Sequence, residues 1–201
     1  MLIKFSVENF SSFNDRQNFS LLPGKGTLKG EHKTKKIKGI SVLKTSVLFG
    51  ANASGKSNLI KAIEFGKRLV LRGTKSESII DYQKFRLDKN CNDKDSRIEY
   101  VIQHNGKNYA YGFIFDSISI KEEWLFEITL KSEVKIFERN INNSQIYDLE
   151  NIVKNIKSEE ERQFLKFTAK GTPNNQLFLN EIRTRKVKEN VSKINDILNV
   201  I

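Results

Sequence analysis

The run Gly50-Ala51-Asn52-Ala53-Ser54-Gly55-Lys56-Ser57 is a complete phosphate-binding loop of the form G-x-x-x-x-G-K-[ST]. It constrains the fold more than any other feature, because such a loop belongs between a strand and a helix. Its glycines let the backbone close around a phosphate chain, so that several N–H groups point inward. Lys56 reaches the β- and γ-phosphates as a point charge, and the Ser57 hydroxyl is the expected Mg²⁺ ligand. The helix that opens there adds the positive end of its dipole. Both flanks have the required pattern. Thr45-Ser46-Val47-Leu48-Phe49 is short, apolar and rich in β-formers, which predicts a buried strand. Leu59, Ile60, Ala62, Ile63, Phe65, Leu69 and Val70 recur at helical spacing, and Gly73 supplies a stop.

The chain has 201 residues, enough for one large domain or two small ones. Hydrophobic residues make up 38% and Phe alone counts 14, which indicates a packed core and argues against disorder. No apolar run reaches the roughly 18 to 20 residues needed to span a membrane. Met1-Leu2-Ile3-Lys4-Phe5 lacks the layout of a signal peptide. Cys91 is the single cysteine, so an intramolecular disulfide is excluded and a cytoplasmic protein is expected. His32 and His104 stand apart from other ligands, which leaves no zinc spacing and no Ser-His-Asp arrangement.

Net charge is +11, which permits a polyanionic partner. The densest basic cluster is Lys29, His32, Lys33, Lys35, Lys36 and Lys38. A solvated loop is the ordinary reading of such a cluster. Contact with nucleic-acid phosphates is the alternative, and it would make the chain a basic nucleic-acid-binding domain.

Leu2 to Phe10 alternates between apolar and polar residues as a half-buried strand does, and Gln17 to Leu22 is a second candidate. From about 80 to 150 the pattern becomes an antiparallel meander. Its strands lie around Ile98 to Ile102, Tyr109 to Phe115, Trp124 to Leu130, Val134 to Phe137 and Ile146 to Leu149, with Asn105-Gly106 as a hairpin turn. The last quarter reads as helical. Ser158 and Glu161 form a capping box before Phe164, Leu165 and Phe167, with Gly171 as the stop. Ile182, Val187, Val191, Ile194 and Leu198 suggest one or two further helices.

A nucleotide hydrolase also needs a carboxylate at a strand end to hold Mg²⁺. After Ser57 the nearest match is Phe113-Ile114-Phe115-Asp116, on the return strand of the predicted hairpin and without a following Glu. A simple strand end is the ordinary reading. A self-contained nucleotide hydrolase with Asp116 on Mg²⁺ is the alternative.

Two stretches together suggest a family. Leu2-Ile3-Lys4-Phe5-Ser6-Val7-Glu8-Asn9-Phe10-Ser11-Ser12-Phe13 is similar to the opening of ABC-type ATPase heads. Leu48 to Ile63, with Asn52 inside the loop and Asn58 just after it, resembles the same group. That group includes SMC-like and RecF-like proteins and the AAA-type ATPases of bacterial anti-phage defence. Tyr109 to Phe113 and Gln176 to Leu179 look like motifs of the defence-associated subgroup. The resemblance implies an α/β fold: the N-terminal lobe of a P-loop NTPase, with a mixed β-sheet, an antiparallel meander and C-terminal helices. Residues 1–75 would carry strands, Walker A loop and helix, 76–150 the meander and 151–201 the helical part.

The same resemblance implies ATP and Mg²⁺ as ligands of residues 50–58, and a γ-phosphate-sensing glutamine, either Gln176 or Gln83. It implies ATP hydrolysis only after completion by a second lobe or a homodimer partner, since no Walker B or signature motif follows. The second lobe is expected to be missing from this chain. Nucleic acid or an effector nuclease is the expected further partner, and no membrane.

Overall fold

The computed structural model describes residues 1–25 and 30–185. Seven strands form one sheet: β1 (Leu2–Glu8), β2 (Gln17–Ser20), β3 (Ser96–His104), β4 (Lys107–Phe115), β5 (Ile120–Ile128), β6 (Glu133–Asn140) and β7 (Tyr147–Asp148). Their order is β2-β1-β3-β4-β5-β6-β7, and each neighbouring pair is antiparallel. The N-terminal hairpin therefore joins the meander directly, with Phe5 opposite Tyr100 and Val7 opposite Ile98. Four helices accompany the sheet: α1 (Lys56–Arg72), α2 (Glu150–Lys154), α3 (Glu159–Lys170) and α4 (Phe178–Thr184).

Two expectations are corrected. The sheet is antiparallel throughout among the described residues, so the parallel component of a mixed sheet is not present there. Thr45 to Phe49 has no regular structure and joins no ladder, and Val47 and Phe49 are 66% and 90% exposed. A strand needs a neighbour's backbone groups. The segment follows the hairpin of residues 33–43 and lies along neither of the sheet's two edges, β2 and β7. The sequence also missed α2, a short helix in what reads as the tail of a strand. Val187, Val191, Ile194 and Leu198 lie outside the described residues.

Helix α1 buries Ala62, Phe65, Gly66, Leu69 and Val70 against the sheet. The i, i+3, i+4, i+7, i+8 spacing from Ala62 puts all five on one face. Gly66 sets how closely the helix approaches. A Cβ there would meet the Tyr100 hydroxyl and the Ile98 side chain of β3. The Tyr100 hydroxyl donates to the Ile63 carbonyl at 2.7 Å, tying helix to strand. Around Phe65 an aromatic cluster gathers Phe10 at 5.2 Å, Phe115 at 5.5 Å and Tyr82 at 5.8 Å between ring centroids. Burial pushes the Tyr82 phenol up to about 12.

The far side of the core is tied by Glu123 on β5, which is fully buried. It accepts from the backbone N–H groups of Phe178 (2.7 Å) and Leu179 (3.0 Å) and from the Tyr111 hydroxyl (3.0 Å). This carboxylate fixes the start of α4 to the middle of the sheet. Arg139, its cross-strand neighbour on β6, is equally buried and donates to the Gln176 carbonyl at 2.7 Å. Burial raises the Glu123 carboxyl above its ordinary range, with Arg139 and the three donors pulling it back.

Two predictions concern this core. Gly66→Val should force α1 off the sheet and cost on the order of 1–3 kcal/mol in urea unfolding, as overpacking does. The raised Glu123 pKa means that the folded state holds its proton more tightly than the unfolded state. Its contribution is therefore fully present below the unfolded carboxylate pKa and is lost as pH rises through the folded value. The stability of wild type relative to Glu123→Gln should accordingly fall as pH is raised through that window, read by urea unfolding at a series of pH values.

Candidate functional site

The phosphate-loop residues lie where segment 45–49 meets the N-terminus of α1. Two residues take left-handed backbone conformations, Ala53 (φ 62°) and Gly55 (φ 90°), and these curl the loop back over the helix start. A glycine adopts that region without strain, which is why Gly55 is needed as the last residue before the helix. Gly50 is needed for a different reason, since the Ser54 side chain sits where its Cβ would be. No side chain caps α1, and its first hydrogen bond runs from the Leu59 N–H to the Gly55 carbonyl at 3.1 Å. The N–H groups of Lys56, Ser57 and Asn58 thus remain at the positive end of a 17-residue helix.

Lys56 folds over this loop. Its Nζ donates to the carbonyls of Gly50 (2.6 Å) and Ala51 (2.7 Å) and lies 3.3 Å from the Ser54 hydroxyl. The ammonium therefore already stands within the curve of the loop. Ala51, Asn52, Ala53, Ser54 and Ser57 are exposed, and Asn58 is half-buried. A free helix N-terminus, a left-handed curl and an inward ammonium fit a phosphate chain.

The turn after β1 completes the setting, and sequence reasoning gave it no role at the site. Asn9, buried, donates through Nδ2 to the carbonyls of Cys91 (2.9 Å) and Lys94 (2.8 Å) and accepts from the Phe85 N–H (3.2 Å). Phe10 packs on Phe65 of α1. Ser12 lies over Gly55, its Oγ 3.1 Å from the place a Cβ would occupy, and Phe13 lies beside it at 3.9 Å. The Ser11 N–H donates to the Gln83 carbonyl at 2.7 Å. The signal was present in the alternation of Leu2 to Phe10, which breaks at Asn9 and is followed by two serines and a phenylalanine.

The two candidate glutamines separate. Gln176 packs beside Gly73 at the C-terminal end of α1. A helix of that length, at about 1.5 Å per residue, puts it about 25 Å from Ser57. Gln176 therefore does not join the loop, and the Mg²⁺ role assigned to it is withdrawn. The reason is topological: the Glu123 and Arg139 contacts pin the 174–179 segment to the opposite end of the helix. Gln83 is held against the Ser11–Ser12 turn through its backbone carbonyl, which accepts from the Ser11 N–H.

Asp116 is a turn residue. Its Oδ1 accepts from the N–H groups of Ile118 (2.8 Å) and Ser119 (2.7 Å), and its Oδ2 meets Lys121 Nζ at 2.8 Å. Partial burial opposes the charge, but Lys121 and the two N–H groups outweigh it and hold the carboxyl below its usual range. The neighbouring Phe115 stacks on Phe65, about 14 Å along α1 from Lys56 at 1.5 Å per residue. Among the described residues no group of three or more His, Cys, Asp or Glu could hold a metal ion. No helix there is long and apolar enough to cross a membrane.

This arrangement, a phosphate-type loop opening a helix that is packed on a sheet, defines a P-loop nucleotide-binding domain. Residues 46–199, more than half of the chain, match the family described as "AAA domain, putative AbiEii toxin, Type IV TA system", and the chain belongs to that family of AAA/ABC-type P-loop ATPase domains, which relates to anti-phage and toxin systems. No curated protein matches it.

Asp116→Asn should lose the Lys121 bridge and part of the turn capping, at a cost of about 1 kcal/mol in urea unfolding. It should leave Mg-ATP affinity within twofold of wild type by isothermal titration calorimetry.

Proposed function

We propose that the chain binds Mg-ATP through residues 50–58 and hydrolyses it only when a second body supplies the missing catalytic groups. The conformation of Lys56 carries this reading. Its ammonium is held inside the loop by two carbonyls and one hydroxyl, all ligands that a phosphate can replace. In the occupied site Lys56 exchanges those carbonyls for β/γ-phosphate oxygens. The backbone N–H groups of 55–58 face the phosphate chain, and Ser57 Oγ takes Mg²⁺. Bound Mg²⁺ would neutralise charge on the β/γ-phosphates. Gln83, bonded through its backbone to the Ser11–Ser12 turn that covers Gly55, would take the γ-phosphate-sensing role.

Mg²⁺ prefers about six oxygen ligands in octahedral array, and Ser57 with phosphate and water leaves room for a carboxylate. Asp116, the sequence candidate, is spent on its own turn. Segment 45–49 supports the source of that carboxylate. It is a β-forming run with exposed Val47 and Phe49 and a backbone that joins no strand among the described residues, leading straight into the loop. A strand from a C-terminal lobe or a second copy of the head, added beside it, would satisfy that backbone and carry an acidic strand end to Ser57. SMC-like geometry, an anti-phage role and a cytoplasmic location go with this proposal.

Lys56→Ala should reduce Mg-ATP affinity at least tenfold by calorimetry, with folding intact by circular dichroism. Equal affinity in the two proteins would dismiss the loop as the site. Steady turnover by the isolated chain, lost in Lys56→Ala, would show that no second body is needed.

A further inference from the structure

Between β2 and the phosphate loop the chain makes an irregular hairpin. Its arms are joined at Lys33 opposite Leu43 and Ile37 opposite Ile40, with further backbone bonds from Thr34 to Val42 (2.9 Å) and from Lys44 to His32 (2.9 Å). Its tip is a tight turn with Lys38 (φ 50°) and Gly39 (φ 85°) both left-handed, and Gly39 packs on Leu130 of the β5–β6 turn. Val42 is fully buried beneath it. The backbone of residues 32–44 is therefore held by bonds between its two arms, and Lys35, Lys36, Lys38 and Lys44, which it carries, are solvent-exposed.

Charge balance on this hairpin differs from that of the sheet. Cations of the meander strands are largely matched, as in Arg97 with Glu99, Lys107 with Glu127, Lys121 with Asp116 and Lys135 with Glu138 and Asp148. On the hairpin Lys35, Lys36, Lys38 and Lys44 are exposed, and none has an ion-pair partner among the described residues. Glu31, the sole carboxylate between residues 30 and 44, lies 3.6 Å from His32. Four like charges held together repel one another and cost stability unless a polyanion meets them.

We infer that Lys35, Lys36, Lys38 and Lys44 form a docking surface for the phosphate backbone of duplex nucleic acid. The duplex is favoured over single strands by composition. Residues 30 to 44 contain no Phe, Tyr or Trp, so the hairpin offers no platform on which unpaired bases could stack. It lacks the Arg, Asn and Gln that make most bidentate base contacts, so phosphate contact dominates and sequence dependence is weak. Four lysines that each displace a condensed counterion give a slope of log affinity against log salt of about −3.6. Affinity then falls about 150-fold between about 50 and about 200 mM salt.

The test is fluorescence anisotropy of the full chain with a labelled random-sequence duplex of about 25 base pairs, long enough to span two helical turns. The expected result is the stated slope for wild type, and its collapse toward zero in a variant combining Lys35→Gln, Lys36→Gln, Lys38→Gln and Lys44→Gln. That variant should keep wild-type Mg-ATP affinity and unfolding midpoint, since its side chains are exposed and make no hydrogen bond to residues 50–58. Lys61→Gln with Lys67→Gln, on the exposed face of α1, removes two charges from a different surface as the control and should retain most binding. The proposal is overturned if the hairpin variant binds duplex as wild type does. It is also overturned if the α1 control alone loses binding, or if the chain binds anionic phosphatidylserine vesicles or an acidic peptide but not duplex. Because the readout contains no nucleotide, its failure leaves the ATP-site proposal untouched.

Discussion

Everything at the candidate site depends on the docking of α1 against β3. The helix carries the phosphate loop at its N-terminus, so the position of the loop is that of the helix. Gly66 allows the close approach, Phe65 fills the aromatic cluster beside it, and the Tyr100 hydroxyl closes onto the Ile63 carbonyl. A phosphate-binding loop gains little from its own contacts in the free protein. Its residues are exposed, and two are left-handed, a conformation that is costly for Ala53. The core under the helix supplies the stability that holds this strained backbone at the surface.

The turn from Asn9 to Phe13 is the second fixed point. Asn9 uses both ends of its amide to staple segment 85–94, Phe10 enters the cluster under α1, and Ser12 rests over Gly55. One five-residue stretch thus connects the first strand, the helix and the phosphate loop. The Glu123–Arg139 pair plays the matching part at the other end of α1, where it anchors the 174–179 segment. The two ends of the helix therefore do different work, one presenting the loop and the other buried for stability.

Much of this was legible in the residues. Strands β1 and β2, the β3–β4 hairpin about Asn105-Gly106, and α1 follow from periodicity and turn chemistry that the tertiary fold does not override. Ser158 caps α3 as the capping box requires, accepting from the Glu161 N–H. What stayed hidden depended on partners distant in sequence. Thr45 to Phe49 has strand propensity, but propensity cannot tell whether a neighbouring edge exists. Gln176 sits at a plausible place in the chain order, and only the Arg139 and Glu123 contacts reveal that it is at the wrong end of the helix. The break at Asn9 marks a turn, but it does not say that Ser12 meets Gly55, because that closeness is set by the packing of Phe10 on Phe65.

The account rests on the loop being a nucleotide cradle that reorganises around Lys56 while the sheet stays rigid. Hydrogen–deuterium exchange with and without Mg-ATP tests this most directly. It predicts slowed exchange confined to amides of residues 50–60 and the adjoining 11–13 turn, with no change in strands β3 to β6. Protection that appears in the meander or around Gln176, with none at 50–60, would contradict it.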